Sequence, residues 1–184
     1  MVIAARRLFT ENGYAGTSFA DVLQASSSPR GSVYFHFPGG KEELAQEVIL
    51  EHAAAMAVHI NRAAIGAKSP ADFITRFMTS ARKLFIEANF LEGCAVAPMV
   101  MERAAASDNL RGLAKAGFQD MVGTFTARFS DLGLPAKHAK TLGVAAEAAL
   151  QGCLVVGRAT GDTSCFDTMG RMLAAHAEAL TAAS

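Results

Sequence analysis

Apolar residues recur along most of this chain at intervals of three and four and nowhere alternate with polar ones over a strand's length. That pattern predicts an all-helical protein. The segment Thr17 to Leu44, TSFADVLQASSSPRGSVYFHFPGGKEEL, divides into two short helices around a polar turn. Ser18 is placed to cap the first helix, in which Phe19, Val22 and Leu23 form one inward stripe. Ser26, Ser27 and Ser28 interrupt it. Pro29 then opens the second helix, where its missing N–H costs nothing, with Ser28 as cap. Val33 and Phe37, four apart, form an inward pair, which leaves Arg30, Gly31, Ser32, Tyr34 and His36 to supply donors and a small residue for close approach. Pro38, Gly39 and Gly40 stop this helix, and Lys41 opens the next where a cation can meet a phosphate. Two short helices about a tight turn are the local plan of a helix-turn-helix DNA reader.

Beyond Lys41 the pattern stays helical. A long helix runs to about Ala64 and is closed by Gly66. Ser69, Pro70 and Asp72 then supply a cap, a first-turn proline and a first-turn acid for a helix bearing Phe73, Phe77 and Phe85 and ending near Gly93. A short helix lies within GCAVAPMVMERAAAS. Ser107 and Asp108 begin another, with Phe118, Met121, Phe125 and Phe129 on one face, ended by Gly133. The last two helices span about Pro135 to Thr160 and Ser164 to Ala182, separated by Gly161 and Asp162. In the final helix Phe166, Met169, Leu173, His176 and Leu180 make a seam, and in the one before it Ala145, Ala149, Cys153 and Gly157 place small residues at every fourth position. Two such helices from each of two protomers can form a four-helix bundle, so these nine residues are the expected homodimer interface. The expected architecture has about nine helices: a three-helix reader over 1–45, then a larger helical dimerisation domain over 46–184, whose aromatic and methionine side chains can line an adaptable apolar ligand-binding pocket.

Composition narrows this picture. Hydrophobic residues make up 51% of 184 residues and the mean hydropathy is +0.23, high enough that some apolar surface is expected to meet a partner. No run of about 18 uncharged apolar residues occurs, so no membrane segment is expected, and the chain reads as cytoplasmic. The formal charge is zero and the pI about 7.0, so contact with DNA must be local. Cys94, Cys153 and Cys165 show no CxxC or disulfide-like spacing, suit a reducing compartment and read as buried small hydrophobes.

The reader segment resembles the amino-terminal domain of the TetR family of transcriptional regulators. The resemblance rests on Ala4, Ala5, Leu8, Phe9, Gly13, Tyr14, Thr17, Ser18, Asp21, Gly31, Ser32, Tyr34, His36, Phe37 and the Lys41, Glu42, Leu44 group. PRGSVYFHFPGGKEEL, together with GCAVAPMVMERAAAS from Gly93 to Ser107, resembles the LmrA and YxaF-type branch of that family. Three features depart from the pattern. Ser27 stands where a turn glycine is usual and Ser28 where an apolar residue is usual. Phe35 stands where a basic or polar residue is usual, and can instead touch a thymine methyl. Met1 aligns inside the first helix without a preceding basic arm, so the native chain is expected to begin upstream.

The resemblance implies a homodimer that binds double-stranded operator DNA. The expected contacts are Thr17, Ser18, Ser28, Pro29, Arg30, Gly31, Ser32, Tyr34, Phe35, His36 and Lys41, with Tyr34 and His36 set against phosphates or, alternatively, packed within the helix. It also implies an apolar effector site. His59, Phe77, Phe85, Met99, Phe118, Met121, Phe125 and Glu147 are its candidate lining, and ordinary core is the competing reading for the apolar ones. Asn89 is a further polar candidate. His52 and His59 share a helix face but lack a third metal ligand, and no phosphate loop, nucleophile elbow or carboxylate pair occurs. Neither metal, cofactor nor catalysis is expected. The function read from the sequence is a repressor that binds a palindromic operator and is released by a small hydrophobic molecule. The alternative is a hydrophobic small-molecule binding or helical interaction protein with weak or lost DNA binding.

Overall fold

The computed structural model describes residues 1–29, 31, 35–91, 93–103 and 107–182, the side chain of residue 103 excepted. Every regular element among the described residues is a helix, and eight are defined. They are α1 Val2–Asn12, α2 Phe19–Ser26, α3 Lys41–Ala64, α4 Pro70–Glu87, α5 Val96–Arg103, α6 Asp108–Asp131, α7 Ala136–Thr160 and α8 Ser164–Ala182. The fold class is thus the expected all-α one. The second helix expected for the reader, from Pro29, falls largely on residues outside the described set, among them Arg30, Ser32, Val33 and Tyr34.

The residues gather into two compact units. One comprises Met1–Ala55 and Cys94–Phe118, the other Met56–Gly93 and Gln119–Ser184, so α3 and α6 each contribute to both. In the first unit α1 ends where Gly13 takes a φ of +78° and turns its N–H back to the Phe9 carbonyl. The chain then enters α2 through a reciprocal cap. The Ser18 hydroxyl oxygen accepts from the Asp21 N–H at 3.2 Å, while an Asp21 carboxylate oxygen accepts from the Ser18 N–H at 2.7 Å. The Ser18 hydroxyl, which donates to the Asp21 carboxylate at 2.6 Å, and then the Ser18 N–H hold the Asp21 carboxyl below its ordinary range. Ala5, Phe9, Val22, Phe37, Leu44 and Val48 form the core over which these elements close.

At the end of α2 Ser27 adopts a left-handed φ of +52°. A side chain there clashes with its own carbonyl, a penalty glycine escapes. Ser27→Gly is therefore expected to stabilise the chain by about 1 kcal/mol. Chemical denaturation followed by circular dichroism tests this, and a neutral or destabilising result would show that the Ser27 side chain has a compensating role.

The second unit is an aromatic core inside a helical shell. Ser69 caps α4, its hydroxyl oxygen accepting from the Asp72 N–H at 3.1 Å with Pro70 in the first turn, as the sequence predicts. Phe73 meets Phe129 with ring centroids 5.0 Å apart, Phe77 meets Phe125 at 4.7 Å, and Phe85 meets Phe166 at 5.6 Å. α4 ends at Glu87 rather than near Gly93, because Asn89 and Phe90 both take left-handed φ values, 50° and 63°. α7 approaches α4 and α6 through glycines. A Cβ on Gly157 would lie 2.8 Å from the Phe85 ring, and one on Gly143 would lie 2.7 Å from the Thr126 hydroxyl. Gly161, at φ +69°, closes α7 and lets α8 fold back along it. Among the described residues α7 alone is long and apolar enough to cross a membrane by length and composition, and 44% of its most apolar window is buried in the fold.

Candidate nucleic-acid interface and sensory core

The reader begins with residues that are held rather than free. Thr17 is 1% exposed, and its hydroxyl donates to the carbonyls of Leu8 at 3.1 Å and Gly13 at 2.9 Å. It therefore braces α1 against the approach to α2, which corrects its assignment as a DNA contact: a buried hydroxyl already donating has nothing left to give a phosphate. Ser18 is exposed but committed to the cap. Ser28 accepts from the Ser26 hydroxyl at 2.9 Å and, through its own N–H, bonds the Leu23 carbonyl.

The outward residues follow. Pro29, Gly31, Phe35 and His36 are exposed, while Val22 and Phe37 are buried beneath them. Phe35 is 82% exposed and stands edge-on to the His36 ring at 5.2 Å, an unusual place for an aromatic unless it meets a partner. Arg30, Ser32 and Tyr34 lie outside the described residues. Lys41 departs from expectation. Its ammonium donates to the Tyr14 carbonyl and sits 4.3 Å over the Tyr14 ring, so in this state the cation ties α3 to the end of α1 instead of pointing outward. Arg6 is likewise engaged, 2.9 Å from the Glu51 carboxylate. Gly39, just before α3, gives its N–H to Glu43 at 2.8 Å.

Two residues that sequence reasoning did not assign organise this unit. Glu102, near the end of α5, accepts from the Ala15 N–H at 2.6 Å and crowds Gly13, where an added Cβ would lie 2.3 Å from its carboxylate. Glu42, in the first turn of α3, accepts from the Ser107 hydroxyl at 3.0 Å and from the Asn109 amide at 2.8 Å. Both carboxylates fasten the 94–118 segment to the reader. Their only sequence signal is that Gly13, Glu42 and the GCAVAPMVMERAAAS segment all belong to the stretches that carry the family resemblance.

The expected effector residues divide between the units. Met99 and Phe118 pack in the first unit, whereas Phe77, Phe85, Met121 and Phe125 are buried in the second. The His59 ring meets the Ser80 hydroxyl at 3.1 Å and the Phe77 ring at 5.2 Å, and burial holds the imidazole below its usual value. Glu147 is the outlier. It is 5% exposed, one oxygen accepts from the Gln151 amide at 2.7 Å, and the other has no hydrogen-bond partner among the described residues. Burial raises its carboxyl above the usual range, against the pull of Gln151. Asn89 is exposed in its turn and does not face this core.

The expected dimer seam is corrected in part. Ala149, Cys153, Gly157, Phe166 and Leu173 are buried within their own unit, and Ala145, Met169 and Leu180 pack on its rim; His176 is exposed. The reason is that α7 and α8 each carry two apolar faces, and a three-and-four spacing marks the inner face as readily as the outer. The outer face is Val144, Ala148, Val155 and Ala159 on α7 with Met172, Ala175 and Ala179 on α8. Val155 is 68% and Met172 62% exposed.

Comparison with known proteins identifies the family of the chain. Residues 2–48 match the family described as bacterial regulatory proteins, tetR family, and residues 70–172 match the C-terminal domain of LmrA/YxaF-like transcriptional regulators. An HTH-type transcriptional regulator of Mycobacterium tuberculosis is 33% identical over 181 residues, covering 94% of this chain and 90% of its own. The HTH-type regulator LmrA of Bacillus subtilis is 28% identical over 83% of this chain and 81% of its own. Among solved structures, the regulatory protein TetR from Rhodobacter sphaeroides superposes with a TM-score of 0.83 at 20% identity, covering 95% of each chain. The TetR family regulator CifR, solved with a 26 bp double-strand operator DNA, superposes with a TM-score of 0.76 at 21% identity over 94% of this chain and 93% of its own. The chain belongs to the TetR family of DNA-binding bacterial transcriptional regulators, in its LmrA/YxaF-like branch, a family of regulators and not of enzymes.

Proposed function

We propose that this regulator is a ligand-responsive repressor that binds a palindromic operator as a homodimer in the cytoplasm and is released by a small, mainly apolar molecule. The observation that carries the reading is the division of exposure across the reader: Val22 and Phe37 are buried while Pro29, Gly31, Phe35 and His36 project outward. Among the described residues nothing lies within 4 Å of where a Cβ on Gly31 would stand, so backbone can approach a duplex closely there. Arg30 and Ser32 supply donors to base edges or phosphates, Tyr34 and His36 position the helix on the backbone, and Phe35 offers apolar contact to a thymine methyl. Fold likeness to CifR, solved on its operator, supports the same docking mode.

The outer face of α7 and α8 supports the dimer. Valine, methionine and alanine aligned on two adjacent helices form a stripe that a two-fold partner can match with its own copy, giving a bundle. Dimerisation then places two readers on successive major grooves about 34–36 Å apart, the geometry that a palindrome mirrors. For the effector, the aromatic core around Phe77 and Phe125 supplies apolar contact, and the unpartnered Glu147 oxygen supplies a directional hydrogen bond. Effector binding favours a reader spacing that no longer fits the grooves.

A second reading is favoured by one observation: Lys41 is spent on Tyr14 and Arg6 on Glu51, which thins the charge available to phosphates. In that reading the chain binds a small molecule or a helical partner with weak DNA binding. Fluorescence anisotropy on DNA upstream of its own gene separates the two, at about 50 and about 200 mM salt. The repressor reading expects sequence-preferring binding that weakens steeply as salt rises. It also expects Arg30→Ala to cost about 1–3 kcal/mol of operator affinity while leaving folding and dimerisation intact. A folded dimer with no salt-sensitive, sequence-preferring binding sinks it, and a monomer in sedimentation removes the dimer.

A further inference from the structure

The hairpin of α7 and α8 brings together two sulfurs that neither DNA binding nor effector binding uses. Cys153 is buried on α7, and Cys165 is half-buried in the first turn of α8. The Cys165 thiol donates to the Cys153 carbonyl oxygen at 3.5 Å, which sets the two residues side by side across the hairpin. Only the Gly161 turn separates the helices, so the chain itself holds both sulfurs at one end of the hairpin. Their spacing of twelve residues matches no short cysteine motif. The pair exists because α8 folds back on α7. Cys94, by contrast, is buried in the other compact unit.

We infer that Cys153 and Cys165 form a reversible intramolecular disulfide on exposure to a two-electron oxidant of the peroxide class, Cys165 attacking first and Cys153 resolving. The roles follow from access and acidity. Cys165 is the more exposed sulfur, whereas burial and then the neighbouring Cys165 thiol push Cys153 up to about 12, so it stays protonated and is a poor first nucleophile. In the first step the Cys165 thiolate attacks a peroxide oxygen. The O–O bond breaks, a sulfenic acid forms, and hydroxide leaves to be protonated to water. In the second step the Cys153 sulfur attacks the Cys165 sulfur. The S–O bond breaks, the Cys153 proton and the departing hydroxide make a second water, and the S–S bond forms. Two thiols are oxidised and one hydrogen peroxide is reduced to two waters. A dithiol reductant reverses the bridge by exchange.

The test uses the full-length protein, freed of reductant and treated with hydrogen peroxide, then denatured and labelled with N-ethylmaleimide before mass analysis. Before treatment the three cysteines take three labels. After treatment the expected result is one label, on Cys94, with a mass about 2 Da lower before labelling, a cross-linked peptide joining Cys153 to Cys165, and three labels again after dithiothreitol. Cys165→Ser is expected to leave Cys153 fully labelled after the same exposure. Three labels after peroxide, a bridge through Cys94, or a sulfinate at Cys165 without a cross-link would overturn the assignment. Oxidation of Cys153 in Cys165→Ser as fast as in the wild type would overturn the roles. The wild-type map is decisive even if the variant fails to fold.

Discussion

Phe77→Ala is expected to lower stability by about 3–5 kcal/mol, the usual cost of deleting a fully buried aromatic ring. The Phe77 ring is inaccessible, meets Phe125 edge-on at 4.7 Å and lies 5.2 Å from the His59 ring. Truncation removes the transfer energy of the ring and leaves a cavity bounded by two aromatic groups that cannot easily collapse into it. The size of the loss discriminates between the two readings of this core. A ring that already lines open space gives up fewer contacts than one packed on all sides, so a loss well under about 2 kcal/mol marks Phe77 as effector lining. Urea unfolding followed by far-ultraviolet circular dichroism measures this in a chain that has no tryptophan.

Acidification from pH 7 to pH 5 is expected to cost about 2 kcal/mol through His52 alone. This imidazole is buried on α3 with its Nδ1 unpartnered among the described residues. Burial first, and the Arg6 guanidinium second, hold it down at about 4 against an ordinary 6.5. Between those values the unfolded chain binds a proton that the folded chain refuses. Stability is therefore full above about 6.5 and is lost progressively as pH falls towards about 4, at up to about 1.4 kcal/mol per pH unit. Glu147 acts in the opposite sense: its raised carboxyl takes up a proton in the folded chain before it does so in the unfolded one, so its contribution grows as pH falls towards the ordinary carboxylate range. The two are separated by comparing pH profiles of the wild type with His52→Leu and Glu147→Gln. His52→Leu is expected to flatten the acid limb, and an unchanged limb would show that another group carries it.

Local chemistry was the legible part of this fold. Ser18, Ser69 with Pro70, and Gly161 are self-contained cap and turn signals, and the helices they bound lie where the sequence puts them. The end of α4 was not legible, because nothing in Asn89 and Phe90 marks them for left-handed backbone ahead of the glycine at 93. The two faces of α7 were confused because one residue's shift around a helix leaves the spacing unchanged, and only the position of Phe85 and α8 decides which face turns inward. At the candidate site, outward Phe35 and His36 could be read from the turn, whereas the engagement of Lys41 with Tyr14 spans 27 residues and that of Glu102 with Ala15 spans 87. Contacts of that range belong to the tertiary arrangement, and no periodicity encodes them.

The hydrogen bonds of Glu102 and Glu42 bear on how such regulators can be rebuilt. A chimera joined just after residue 45, the obvious place to transplant a reader onto a foreign sensor, would keep Ala15 and Glu42 but discard the Glu102, Ser107 and Asn109 that hold them. The smallest portable cassette is discontinuous, the amino-terminal segment together with 94–118, and modularity in this chain follows carboxylate anchors rather than the order of the sequence.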